Sequence, residues 1–169
     1  MKIRSTTDKP NIEASSPACA MHESNDGYMR YADNPELVAF CNELLEAERA
    51  GARVTLESAQ AIGVGPIAEL MKTIHHDEAR WCAMLLRQIK ALGGIPSAKV
   101  GAFYDKAMAI VDLSERIVLL NRGQNWVVRA LRAMLPRVRD PDLRANLTEM
   151  LQSHEANVNL AAASVVRAP

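Results

Sequence analysis

Apolar residues recur every three or four positions along four long stretches of this chain, and turn signals separate the stretches. The first begins at Asn34, read as an N-cap, with Pro35 at the first helical position. It runs to about Ala61 and stops at IGVG. The second opens at Pro66 and ends at Gly93-Gly94. The third starts near Ser114, with Asp112 or Ser114 as its cap, and ends near Leu135, before Pro136. The fourth opens with Asp140 as N-cap and Pro141 behind it, and reaches about Val166. Residues 95–112 separate the second and third, with a short helix expected at FYDKAMAI. Residues 1–33 carry Ser, Asn, Asp and Pro without a sustained period, so a disordered or loosely docked tail is expected there. Met1, Met21 and Met29 are each a candidate start. Residues 34–169 then form the folded domain, of all-α class.

The connections limit the topology. The first and second helices (A and B), and the third and fourth (C and D), are joined by a few residues each, which predicts two antiparallel hairpins. The B–C segment is longer. A helix of ~27 residues is ~40 Å long, and an extended link of ~18 residues reaches ~60 Å. The link is thus able to cross the whole length of the helices.

Each helical wheel has a polar residue at the centre of its apolar stripe. On helix B, Ile67, Leu70, Ile74, Trp81, Leu85, Ile89 and Leu92 enclose Glu78. His75 and Asp77 lie on opposite flanks, and His76 points outward. On helix A, Leu37, Cys41, Leu44, Leu45, Ala52, Thr55 and Ala59 enclose Glu48, with Glu43 and Glu46 directed away. On helix C, Ile117, Leu120, Val128, Leu131 and Leu135 enclose Gln124. On helix D, Leu143, Leu147, Leu151, Val158, Ala161 and Val165 enclose His154, with Glu155 on the flank. Glu48 and Glu78 sit at similar distances from the A–B turn, as Gln124 and His154 do from the C–D turn. Equal distance from the turn means equal height in a hairpin, so all four are expected in one layer. A buried carboxylate without a partner is costly, which makes four unrelated exceptions at one level improbable.

Composition narrows the function. Of 169 residues, 49% are hydrophobic and only 4% aromatic, which suits helices better than sheets. Formal net charge is zero, so there is no basic excess to grip a nucleic acid backbone. No apolar run is long enough for a bilayer, no basic amphipathic segment suggests a membrane surface, and the N-terminus shows no secretory h-region. Cys19, Cys41 and Cys82 are odd in number and form no CxxC pair, so reduced thiols and a cytoplasmic location are expected.

With Glu48 on helix A, Asp77-Glu78-Ala79-Arg80-Trp81 on helix B, Asn121-Arg122-Gly123-Gln124 on helix C and His154-Glu155 on helix D, the chain resembles the ferritin-like superfamily. That superfamily includes ferritins, rubrerythrins and di-iron carboxylate proteins, and the likeness is to an uncharacterised bacterial branch. The resemblance implies a ferritin-like four-helix bundle, two hairpins joined by the long crossover. It implies a metal centre drawn from Glu48, Glu78, His154, Glu155, Gln124 and His75, holding iron, or manganese or zinc, for metal handling or redox protection. The pattern is degenerate. Trp81 stands where the helix B histidine belongs, Val158 and Asn157 follow on helix D, and Gln124 replaces a carboxylate.

A second reading keeps the scaffold without metal. Gln124 then donates to a carboxylate, protonated His154 pairs with Glu78, and Arg49, Arg122 and Arg129 supply counter-charge. Leu119, Trp126 and Ala133 form an apolar strip opposite the helix C core, with Val127 nearby. Either the crossover or tail covers it, or it is the interface of a homodimer. The catalytic residues, if any, and the substrate are not legible. His22, in the tail, has no visible role.

Overall fold

The computed structural model describes residues 31–166, and over these every regular element is helical. The expected tail, residues 1–33, lies almost entirely outside them, as do Cys19, Met21, His22 and Met29. The long helices are α1 (Asn34–Ile62), α2 (Pro66–Ala91), α4 (Leu113–Met134) and α5 (Pro141–Val166), with a short α3 (Phe103–Met108) between α2 and α4.

Local chemistry sets the ends. Asp33, not Asn34, caps α1: its side chain accepts from the Glu36 amide at 2.8 Å. Asn34, expected as the cap, lies one residue late: both residue types suit the role, and only the backbone, extended at Asp33, shows which one takes it. Gly63 (φ 80°) closes α1, a left-handed conformation that favours glycine. Asp112, rather than Ser114, caps α4 through the Glu115 amide at 2.8 Å. Asp140 accepts from the Leu143 amide at 2.7 Å, as expected for a cap of α5.

The four long helices share one apolar cluster, and a second, smaller cluster joins α1, α2 and α4 through Ala59, Leu70, Met71, Ile74, Ile117 and Leu120. Leu37, Leu44 and Leu45 of α1 meet Trp81, Leu85 and Ile89 of α2, Val127 and Leu131 of α4, and Leu143, Leu147 and Met150 of α5. Direction follows from the cross-links. Gly94, just past α2, packs on Val38 near the start of α1, so α1 and α2 are antiparallel. Asp77 contacts Ser153 and Asn157, whereas Arg80 reaches Glu149, so α2 and α5 are antiparallel too.

The connection from Leu92 to Asp112 runs along α1. Asn42 holds Ile95 and Ser97, Arg49 donates to the carbonyls of Ser97 and Lys99, and Gly101 donates to the Glu46 carbonyl at 3.0 Å. Farther on, Tyr104 donates to Glu57 and Arg116 to Ser58. The chain has then travelled from the start of α1 to its end, and α4 returns beside α1 in the opposite sense. Arg137, just past α4, reaches the start of α1 with a two-pronged ion pair to Glu36, at 2.6 and 2.8 Å. Arg49 therefore serves the crossover and not the buried layer.

The helix faces needed local correction. On α5 the buried line runs Leu143, Leu147, Met150, His154, Asn157, Ala161, while Leu151 and Val158 are only half-buried. On α1, Gly51, Val54 and Ser58 are buried and Ala52 is half-buried. Val165 lies outside the described side chains. No helix among the described residues is long and apolar enough to cross a membrane.

Candidate functional site

Glu48, Glu78, Gln124 and His154, from the four long helices in turn, are each at most 4% exposed, and Thr55, Ser58 and Asn157 are buried polar residues as well. The first four meet in two hydrogen-bonded pairs. His154 Nε2 lies 3.0 Å from Glu48 Oε1, and Gln124 Nε2 donates to Glu78 Oε1 at 2.6 Å. His154 Nδ1 lies 3.1 Å from the Met150 carbonyl, which fixes the ring. The imidazole pairs with Glu48, where the metal-free reading had paired it with Glu78.

Burial resists the charge on His154, but Glu48 outweighs it, and the net result is a raised pKa. A protonated His154 then donates from both ring nitrogens, to Glu48 and to Met150. Glu78 is held well above the usual carboxylate range, first by burial and then by the charges of Glu48 and Asp77. Thr55 completes its surroundings. The Thr55 hydroxyl is 2.8 Å from the Gly51 carbonyl and 3.2 Å from Glu78 Oε2. The Thr55 hydroxyl thus has one proton to share between the Gly51 carbonyl and Glu78 Oε2.

The carboxyl of Glu78 needs room, and Gly51 supplies it. A Cβ at residue 51 would lie 2.3 Å from Glu78 Oε1. Sequence reading missed Gly51, since a mid-helix glycine carries no chemistry. It also missed a polar extension of the layer, in which Asp77 accepts from Ser153 and Asn157, and Trp81 Nε1 donates to Ser153 at 3.3 Å. Asn157, three residues after His154, was the available signal.

Two expected ligands stand elsewhere. Glu155 faces solvent and pairs with Arg132 at 2.7 Å. It is one residue beyond His154, so the helix turns it away by about 100°. The His75 Nδ1 lies 2.8 Å from the Ala52 carbonyl. His76 is exposed, as its wheel position required. The resemblance implies a metal, and the donor set tests it. Both oxygens of Glu78 and the Nε2 of His154 already have partners. Among the described residues no three His, Cys, Asp or Glu side chains converge to hold a metal ion. The residues as arranged do not fit a paired-metal carboxylate centre.

What the layer adjoins is a cavity of about 520 Å³ between α1, the crossover and α4. Glu48, Glu78 and Gln124 of the layer line it together with Gly51, and Ala47, Phe103, Leu119, Leu120, Trp126 and Val127 form its apolar walls. Glu43, Glu46, Lys106 and Arg122 also line it, two of each sign. Leu119 and Trp126, expected as a surface strip, thus belong to this wall, and Trp126 is still 36% exposed. The ring of Phe103 fits over Gly123, where a Cβ would approach within 3.1 Å. Two buried acceptors of the layer have no partner, Glu48 Oε2 and Gln124 Oε1.

No curated protein and no solved structure matches the chain. A family model described as a domain of unknown function, DUF6306, matches residues 35–163, and the chain belongs to that family.

Proposed function

We propose that this protein is a ferritin-like four-helix bundle that binds a small, mainly apolar molecule, with Glu48, Glu78 and Gln124 as the polar floor of the site. The crossover along α1, and α4 returning antiparallel to it, support the ferritin-like arrangement. One observation carries the binding reading: the buried polar layer and the cavity share a wall. Its volume lies in the range of ligand sites, roughly 300–1,000 Å³, and its walls combine apolar surface with a few convergent polar groups. The free thiols Cys41 and Cys82 support a reducing, cytoplasmic setting.

Titration with indole, followed by NMR, tests the pocket. Saturable shifts at Ala47, Phe103 and Trp126 are expected, and Ala47→Phe should abolish them by filling the wall. Binding that Ala47→Phe leaves unchanged would place the ligand elsewhere and end this reading.

The second reading is metal handling or redox protection at the same layer. It is supported by the two unpartnered acceptors, which would suit a cation. Elemental analysis of untagged protein separates the two. Stoichiometric iron, manganese or zinc, lost in Glu78→Ala, would replace the small-molecule reading. A homodimer through the exposed edge of Trp126 is a compatible proposal, checked by light scattering.

A further inference from the structure

We infer that α4 pairs antiparallel with α4 of a second copy of this chain, about a two-fold axis that passes between Val118 and Leu119. This rests on the homodimer proposed above and gives it a geometry; the small-molecule reading stands apart from it. Helical period carries the placement. At about 100° per residue, Glu115, Val118, Leu119, Arg122 and Trp126 fall within one face about 100° wide. The opposite face holds the buried Leu120, Gln124 and Leu131. Val118 is 38% and Trp126 36% exposed, and Val111, just before the helix, is 93% exposed. Large apolar side chains therefore recur along an outward helix face, the pattern of a surface that another chain covers.

The charges on this face choose the partner and its direction. Glu115 and Arg122 are exposed, and neither makes an ion pair among the described residues. Other surface charges do pair, as Arg80 does with Glu149 and Arg132 with Glu155. On their own helix Glu115 and Arg122 stand about 10 Å apart, at 1.5 Å of rise per residue. An antiparallel second α4 sets each Glu115 opposite the partner's Arg122, because the two lie equally far from the axis. Each Val118 then meets the partner's Leu119 at the centre, and each Trp126 faces the partner's Val111 at the ends. A parallel arrangement would set Glu115 against Glu115 and Arg122 against Arg122. The face is thus complementary to itself in one direction only. Grooves flank the ridge on both sides. Leu119 and Arg122 line the cavity of about 520 Å³ and an adjoining groove of about 430 Å³, and Asn121, Asn125 and Ala162 line a smaller one on the α5 side. Side chains of a second helix have space to seat there. The partner would also cover the α4 rim of the cavity, where Arg122 and Trp126 are exposed.

Sedimentation equilibrium of the full chain tests this, and the expected species has twice the 18.5 kDa of one chain. Val118→Glu sets two carboxylates beside the axis and should weaken the dimer at least about 10-fold, while its melting curve shows that it is folded. Glu115→Arg should weaken it about 10-fold, the size of two surface charge pairs, and adding Arg122→Glu should restore it. That rescue is specific to the antiparallel register, in which the two residues exchange places across the axis. A monomer at every concentration up to about 100 μM, or a dimer that Val118→Glu leaves intact, would overturn the proposal. A dimer indifferent to Glu115→Arg, or not restored by the double change, would overturn the antiparallel pairing. Val118 is not part of the cavity lining, so indole titration of Val118→Glu reads the pocket separately. Indole binding by a monomer would overturn the dimer and leave the pocket standing, and a dimer that binds no indole would do the reverse.

Discussion

Gly51 and Glu78 compete for one volume: the Cβ that any other residue would place at position 51 falls 2.3 Å from Glu78 Oε1. The α1–α2 contact is close because the glycine lets a carboxyl group sit where a methyl would. Gly51→Ala should therefore destabilise the protein, by about 1–3 kcal/mol, although alanine is the better helix former. In a Glu78→Ala background the same change should become stabilising by about 0.5–1 kcal/mol, since only the helix preference remains. A double-mutant cycle by urea unfolding reads this coupling. Additive effects would show that the two residues do not share the space.

Stability should fall as pH rises, and Glu78 should be a main cause. Glu78 and His154 both bind their proton more tightly in the folded chain than in the unfolded one. Stability from such groups is fully present below their unfolded pKa values and is lost as pH climbs through the folded ones. The decline should begin above about 4.5 for Glu78 and above about 6.5 for His154. Glu78→Gln mimics the neutral acid, so its melting temperature should fall less between pH 5 and pH 8. The residual slope belongs to His154. Parallel slopes in the two proteins would mean that Glu78 is not held neutral by its site.

Position along α5 and α2 should decide the cost of truncation. His154→Ala removes the partner of a buried Glu48 carboxylate, and the loss should be about 3–5 kcal/mol. His76→Ala alters an exposed residue and should stay within about 0.5 kcal/mol. Glu155→Ala breaks a solvent-exposed pair with Arg132 and should cost less than about 1 kcal/mol. Chemical denaturation of the three variants makes the comparison. Similar losses at His154 and Glu155 would contradict the placement of the layer.

The sequence by itself determined the helices, the hairpins and the identity of the four central polar residues. Helical period puts Glu48, Glu78, Gln124 and His154 on apolar stripes, and short connections equalise their heights. Those properties are local, so one chain displays them without its neighbours. Tertiary structure decided the rest. It chose Glu48 rather than Glu78 as the partner of His154, because rotation of each helix about its own axis is set by packing. It turned Glu155 outward to Arg132 and made Arg49 a clamp for the crossover. It gave Gly51 a purpose that no residue chemistry announces, the space for a carboxyl group from another helix. The cavity, too, lies between elements distant in sequence: Phe103 of the crossover and Trp126 of α4 become walls only when the chain has crossed the length of α1.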